Sequence, residues 1–238
     1  MIRPVVLLAA AAALAPAHDV ITTKVTYSKE IVRLIDKRCT GCHVHTDSDS
    51  AFLLTNYDGA RPWAKAIKEE VDARRMPPWQ AVKGFAEFKE DRGLTQEEIE
   101  LIDDWVEGGA PEGNPKFVPA SPKILDWKDA EAPQNSSEIV AGNATKLDSS
   151  ARVLAVRPKD LKKGASVQVL AARPDGSIAP LLWIYHFNPD FARTYYYVAP
   201  LDLPAGTEIE MSPPDAGTVA LFAKVPKASA RSTRGGAR

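Results

Sequence analysis

The sequence predicts an α + β protein in separate domains, a small all-α domain followed by a small antiparallel β-sandwich. Three observations predict it. Apolar residues at helical spacing, with capping signals, recur through the first half and stop near residue 110. Short alternating apolar runs divided by turn signals fill the chain beyond residue 150, and a proline-rich stretch separates the two patterns. The 238 residues, 45% hydrophobic and 26% charged, can bury a core and exclude collagen, a long coiled coil and a wholly disordered chain. The net charge is −1, so no overall basic field argues for nucleic acid as a partner.

Residues 1–17 carry one charge, Arg3, then an unbroken apolar run over 5–15 that ends in Ala15-Pro16-Ala17. This is the pattern of a signal peptide. The run is about half of the ~20 residues that cross a bilayer, so no transmembrane segment is expected in the mature chain. Cleavage after Ala17 would leave His18 at the new terminus, with no cysteine there to carry a lipid. The expected product is soluble and exported, to the periplasm or beyond. Exported proteins use disulfides, but Cys39 and Cys42 would close a loop too small to restrict the unfolded chain much. Another role is expected for them.

The first predicted helix covers 28–35, with Ser28 as N-cap, Tyr27 and Val32 as a hydrophobic staple, and Ile31, Leu34 and Ile35 at helical spacing. It leads into Cys39-Thr40-Gly41-Cys42-His43, the C-x-x-C-H spacing of covalent haem c attachment. In that chemistry two thiols add to the two vinyl groups of one porphyrin, and the adjacent imidazole supplies an axial nitrogen to the iron. Two other readings compete. A redox dithiol wants its C-x-x-C after a strand, whereas a helix precedes it here. A zinc knuckle from Cys39, Cys42, His43 and His45 has suitable ligand types, but adjacent Cys42 and His43 fit a tetrahedral site poorly.

A second helix is expected over 60–75, capped by Asp58, with Pro62 in its first turn and Trp63, Ile67 and Val71 on one face. It ends at Arg75-Met76-Pro77-Pro78-Trp79, where the double proline predicts an extended, stiff loop. Met76 is the expected sixth ligand, because a thioether is soft and uncharged and raises the reduction potential relative to a second imidazole. The competing reading is a methionine filling a core gap. His45 reads as exposed, His186 as a histidine within a sheet, and Met211 as sheet packing.

A third helix begins at Leu94-Thr95-Gln96-Glu97-Glu98-Ile99, a capping box of Thr95 with Glu98 flanked by the staple pair Leu94 and Ile99. It buries Ile99, Ile102, Trp105 and Val106, stops at Gly108-Gly109, and should pack across the first helix. Ten acidic residues against Lys89 and Arg92 lie between Glu87 and Glu112. They read as a solvated face or as a steering field for a basic redox partner.

On these motifs residues 24–115 resemble a small class I-type cytochrome c domain. The combination of Cys39-Thr40-Gly41-Cys42-His43, Arg61-Pro62-Trp63, Arg75-Met76-Pro77-Pro78-Trp79 and Trp105-Val106-Glu107-Gly108-Gly109-Ala110-Pro111 is similar to bacterial multidomain cytochromes. In those proteins such a domain precedes modules of the copper type II, ascorbate-dependent monooxygenase class. The resemblance implies haem on Cys39 and Cys42, with His43 and Met76 as axial ligands of the iron.

Pro111, Pro115, Pro119, Pro122 and Pro133 then mark a semi-rigid linker, placed at 116–135 between the domain at 18–115 and a second one at 136–226. Strands are expected at 152–156, 166–171, 181–187, 194–198, 207–211 and 218–224, and a disordered basic tail at 227–238. Arg173-Pro174-Asp175-Gly176-Ser177, Leu181-Leu182-Trp183 and 200–207 make this region similar to a shortened carboxy-terminal sandwich of the monooxygenase class. Where that class carries a His-x-His copper pair, this chain reads Arg157-Pro158-Lys159-Asp160-Leu161-Lys162-Lys163-Gly164. Lysine is protonated and repels a dication, and His186 alone cannot hold copper, so no copper is expected.

The expectation is therefore an electron carrier and not an enzyme: an exported monohaem c-type cytochrome with a sandwich that acts as docking scaffold. Two alternatives are the haem-bearing subunit of a copper monooxygenase-like oxidoreductase, and a non-redox zinc or structural exported protein.

Overall fold

The computed structural model describes residues 24–44, 52–120 and 131–224. The expected signal peptide at 1–17, His18, His45, Trp127 and the basic tail at 227–238 lie outside the described residues. The architecture is mixed α + β, with short helices followed by two antiparallel four-stranded sheets. Among the described residues no helix is long and apolar enough to cross a membrane.

A π-helical turn, Tyr27–Ile31, runs directly into α1, Val32–Arg38. Ser28 is not its N-cap. Ser28 is fully buried inside the turn, and Thr26 occupies the cap position, its N–H and hydroxyl both donating to Glu30 Oε2 at 3.0 and 3.3 Å. The single helix expected over 60–75 is instead α2, Tyr57–Ala60, a 3-10 turn, Arg61–Trp63, and α3, Ala64–Asp72. Its cap is Asn56 and not Asp58, with Asn56 Oδ1 accepting from Gly59 N–H at 2.8 Å. Pro62 has no N–H to give to the carbonyl four residues back, and the tighter turn falls on it.

The last helix, α4, Gln96–Glu107, has the predicted capping box. Thr95 Oγ1 accepts from Glu98 N–H at 3.1 Å and Glu98 Oε2 accepts from Thr95 N–H at 3.0 Å. α4 meets the first helical segment through the Tyr27 and Trp105 rings, 6.2 Å apart, and the Arg38–Glu98 ion pair at 2.9 Å. The chain then returns, and Tyr27 and Ser28 donate their N–H groups to Pro111 O and Glu112 O, both at 2.9 Å. Gly113 is needed at that closure: its φ is +79°, and a Cβ there would lie 2.6 Å from Ser28 Oγ and Thr26 Cβ. Tyr27, Ile31, Ile35, Val71, Ile102 and Trp105 lie at the centre of this helical core.

The strands are β1, Ser137–Ala141, β2, Thr145–Lys146, β3, Ala151–Pro158, β4, Val167–Ala172, β5, Ile178–Ile184, β6, Tyr195–Leu203, β7, Glu208–Ser212, and β8, Val219–Lys224. β3 to β8 answer the six predicted strands, whereas β1 and β2 were not expected. One sheet has the order β1-β8-β3-β6 and the other β2-β7-β4-β5. Alternation drives their packing, as in β4, which buries Val167, Val169 and Ala171 into the shared core. His186 departs from its expected place in a sheet. It lies exposed just past β5 at φ +54°, where the chain bends and its N–H donates to Ser166 Oγ at 3.1 Å.

Residues 79–91 fall within the span 18–115 that the sequence assigns to the helical domain, yet they are bonded to the sandwich. Val82 N–H donates to Trp183 O at 2.8 Å, Lys89 N–H to Tyr196 O at 2.7 Å and Val198 N–H to Glu87 O at 3.0 Å. Ala81 pairs with Ile184 on β5, and Phe88 with Tyr197 on β6. β5 and β6 each end their sheet, so this strap satisfies backbone groups at one open edge of both sheets. Trp79, Ala81, Ala86 and Phe88 add their side chains to the sandwich core.

Candidate haem site

The C-x-x-C-H motif forms the turn that continues off α1. Cys39 N–H donates to Ile35 O at 2.8 Å, and Cys42 and His43 N–H groups both return to Cys39 O, at 3.1 and 3.0 Å. That bonding places Cys39 and Cys42 three residues apart on one helical turn, where side chains share a side. Thr40 Oγ1 donates to Asp36 O at 2.9 Å, tying this buried residue of the motif back to α1. The turn is anchored from α4. Arg38, immediately before Cys39, has its guanidinium on both oxygens of Glu98 and on Asp91 O at 3.0 Å, and Lys37 reaches Glu98 at 3.1 Å. Burial pushes the Glu98 carboxyl up, but Arg38, the Thr95 N–H and Lys37 outweigh it and hold it below its ordinary value.

Both cysteines are half-buried, and they are not joined in a disulfide. Burial first, and the neighbouring Cys42 second, push the Cys39 thiol up to about 12. A reactive dithiol needs the opposite, a thiolate favoured near neutral pH. Among the described residues no three His, Cys, Asp or Glu side chains are grouped to hold a metal ion, and the zinc reading would need His45, outside them.

His43 is the best-defined part of the site. Its Nδ1 lies 3.0 Å from Phe52 O. A carbonyl only accepts, so Nδ1 is the donor in this contact, which leaves Nε2 as the ring nitrogen that can face a metal. The backbone holds this loop closed, with Leu54 N–H donating to His43 O at 2.9 Å. Phe52 also packs its ring 4.9 Å from the imidazole and stacks on Trp63 at 4.4 Å. Neither aromatic was singled out in the sequence as a support for His43, since the pairing joins a loop to a 3-10 turn.

Met76 is half-buried and packs, like Cys39 and Phe52, against the helical core. Its loop is a bend and not the extended segment expected from Pro77-Pro78, because Trp79 N–H turns back to Pro77 O at 2.6 Å. Upstream, Arg75 and Met76 N–H groups donate to Glu70 O at 2.9 and 3.2 Å, and the Arg75 guanidinium makes two bonds to the Glu70 carboxylate. A cleft opens beside Met76, lined by Pro77, Trp79, Leu94, Ile99 and Tyr185. Trp79 Nε1 is buried there with no partner, an orphaned donor at the margin of the site.

The donor types suit a covalently held haem, with two thiols on one turn, an imidazole held through Nδ1 and a thioether packed against the same core, although the cleft beside Met76 is lined by none of Cys39, Cys42 and His43. The acidic run is partly spent on structure. Glu98 pairs with Arg38, Asp103 with Lys68 at 2.9 Å and Asp91 with Lys83 at 2.9 Å, while Glu97, Glu100, Asp104 and Glu107 remain exposed along one stripe of α4. Comparison of the chain with protein-family models, with curated proteins and with solved structures finds no match in any of the three.

Proposed function

We propose that the chain is an exported monohaem c-type cytochrome that carries single electrons, with the sandwich as its scaffold. Cys39 and Cys42 hold the porphyrin, and His43 and Met76 are the axial ligands. Each thiol adds across one vinyl group, sulfur to one carbon and hydrogen to the other, so attachment consumes no oxidant. When bound, the iron would supply a one-electron Fe(III)/Fe(II) couple. The chain's own residues do the rest. Phe52 O holds the Nδ1 proton of His43, the Arg38–Glu98 pair fixes the turn that bears the thiols, and the helical core keeps the Met76 sulfur partly out of water.

The observation that carries this reading is the His43 Nδ1–Phe52 O hydrogen bond within C-x-x-C-H, because it orients the imidazole by Nδ1 and leaves Nε2 to face a metal on the residue the motif requires. Its test is the alkaline pyridine spectrum of protein made where the c-type maturation machinery works. One covalently bound haem per chain is expected, lost when Cys39 and Cys42 are both changed to Ser. A colourless product with stoichiometric zinc would replace the reading with the zinc alternative. Stoichiometric copper beside iron would move it to a subunit of an oxidoreductase.

A further inference from the structure

We propose that the β-sandwich positions Met76, acting through Trp79 as a positioning residue at the head of the strap. The inference rests on the ligand role given to Met76 above. Met76 is held from two sides. On one side the main chain is tied to the end of α3 through Glu70 O, and the sulfur-bearing side chain lies against the helical core. On the other, three residues downstream, the Trp79 ring is 9% exposed and belongs to the core of the sandwich. It meets the Tyr195 ring edge-on at 5.0 Å and 90°, with the Arg193 guanidinium 5.8 Å from its centroid. From Trp79 onward the strap is locked by the backbone: Tyr185 N–H donates to Gln80 O at 3.3 Å and Ala81 pairs with Ile184.

Met76, Pro77, Pro78 and Trp79 therefore span the distance between two separately packed cores. The span is short and contains two prolines, whose fixed φ removes most of the slack. A thioether is a weak ligand, so its bond to iron is sensitive to small displacements. A shift of the sandwich against the helices would be passed to the sulfur through this tether. Gly93 lies against the same indole, and a Cβ there would come within 3.2 Å of Trp79 Cδ1 and of Asp91 Oδ1, which gives a second way to crowd the ring without removing it.

The test uses the full-length haem-loaded protein. The readouts are the weak red absorption of Met–Fe(III), the reduction potential, and far-UV circular dichroism with thermal unfolding. Met76→Ala in the same background checks the ligand itself. Trp79→Leu is expected to lose most of the red band and lower the potential while the dichroism of the sandwich is retained. Gly93→Ala, which keeps the indole but crowds it, is expected to shift the same two quantities in a folded protein, and it carries the test if Trp79→Leu does not fold. Phe88→Leu, at the far end of the strap, is expected to lower the melting temperature and leave band and potential unchanged. The proposal is overturned if folded Trp79→Leu and Gly93→Ala both keep the wild-type band and potential, or if Phe88→Leu perturbs them as strongly. Should Met76→Ala leave the band in place, it is the ligand assignment that fails.

Discussion

Glu98 is the residue on which three parts of the helical unit converge. It caps α4 through Thr95, receives the nearly buried Arg38 beside the first motif cysteine, and takes Lys37 from the surface. Removing its charge leaves the guanidinium of Arg38, whose side chain is 6% exposed, without its carboxylate partner. Glu98→Gln should therefore destabilise the protein by about 2 kcal/mol in chemical denaturation, more than a surface ion pair is worth. The pH dependence follows from the depressed carboxyl. A carboxyl held below its ordinary 4.5 in the folded state stabilises above that value. Its contribution fades as pH falls through the lowered folded value, so wild type should lose stability below about pH 4.5 while Glu98→Gln loses less over the same range. The capping box was readable in the sequence as Thr95-Gln96-Glu97-Glu98. The pair with Arg38 was not, because it joins residues brought together only by the packing of α1 against α4.

At the level of elements, local signals worked where the chain's own neighbours supply the bond. Six of the strands and the α4 capping box were all legible, and Thr95→Ala should cost about 1 kcal/mol of stability measured by urea titration. They failed where the bond comes from elsewhere. Two local signals were misread as well: Asn56 and not Asp58 caps α2, and Pro62 converts one expected helix into three short segments. β1 is mostly exposed, with Ala141 its one buried residue, and it is a strand because β8 pairs with it. β2 has two residues and exists through β7. The turn between β7 and β8 depends on one glycine. Gly217 has φ +125°, and a Cβ would fall 1.9 Å from Asp160 O. Gly217→Ala should lower stability by at least ~3 kcal/mol or abolish soluble expression, since backbone and not a movable side chain stands in the way.

Across the whole molecule the strap at 79–91 ties the helical and sheet parts together. Phe88 lies 5.3 Å from both the Tyr195 and the Tyr197 rings and is 5% exposed. Phe88→Ala is expected to cost roughly 3–5 kcal/mol, read as a lower midpoint in thermal unfolding. Charge acts at this scale too. Pairing of Glu98, Asp103 and Asp91 leaves a narrower acidic stripe on α4 than the run of ten carboxylates suggested. If that stripe steers a basic redox partner, the association rate should fall steeply as ionic strength rises through ~0.15 M, where screening acts over about 8 Å. A flat salt dependence would assign the stripe to solvation alone.

Local order along the chain carried the two-part α + β pattern, the C-x-x-C-H motif and most of the strands, because spacing, capping and alternation depend on residues a few positions apart. Tertiary contact decided the rest: which carbonyl holds the Nδ1 proton of His43, which carboxylate meets Arg38, and that the residues just beyond Met76 close the edges of the sheets. Those outcomes depend on groups distant in the chain competing for the same buried space, and no short window of residues records who wins.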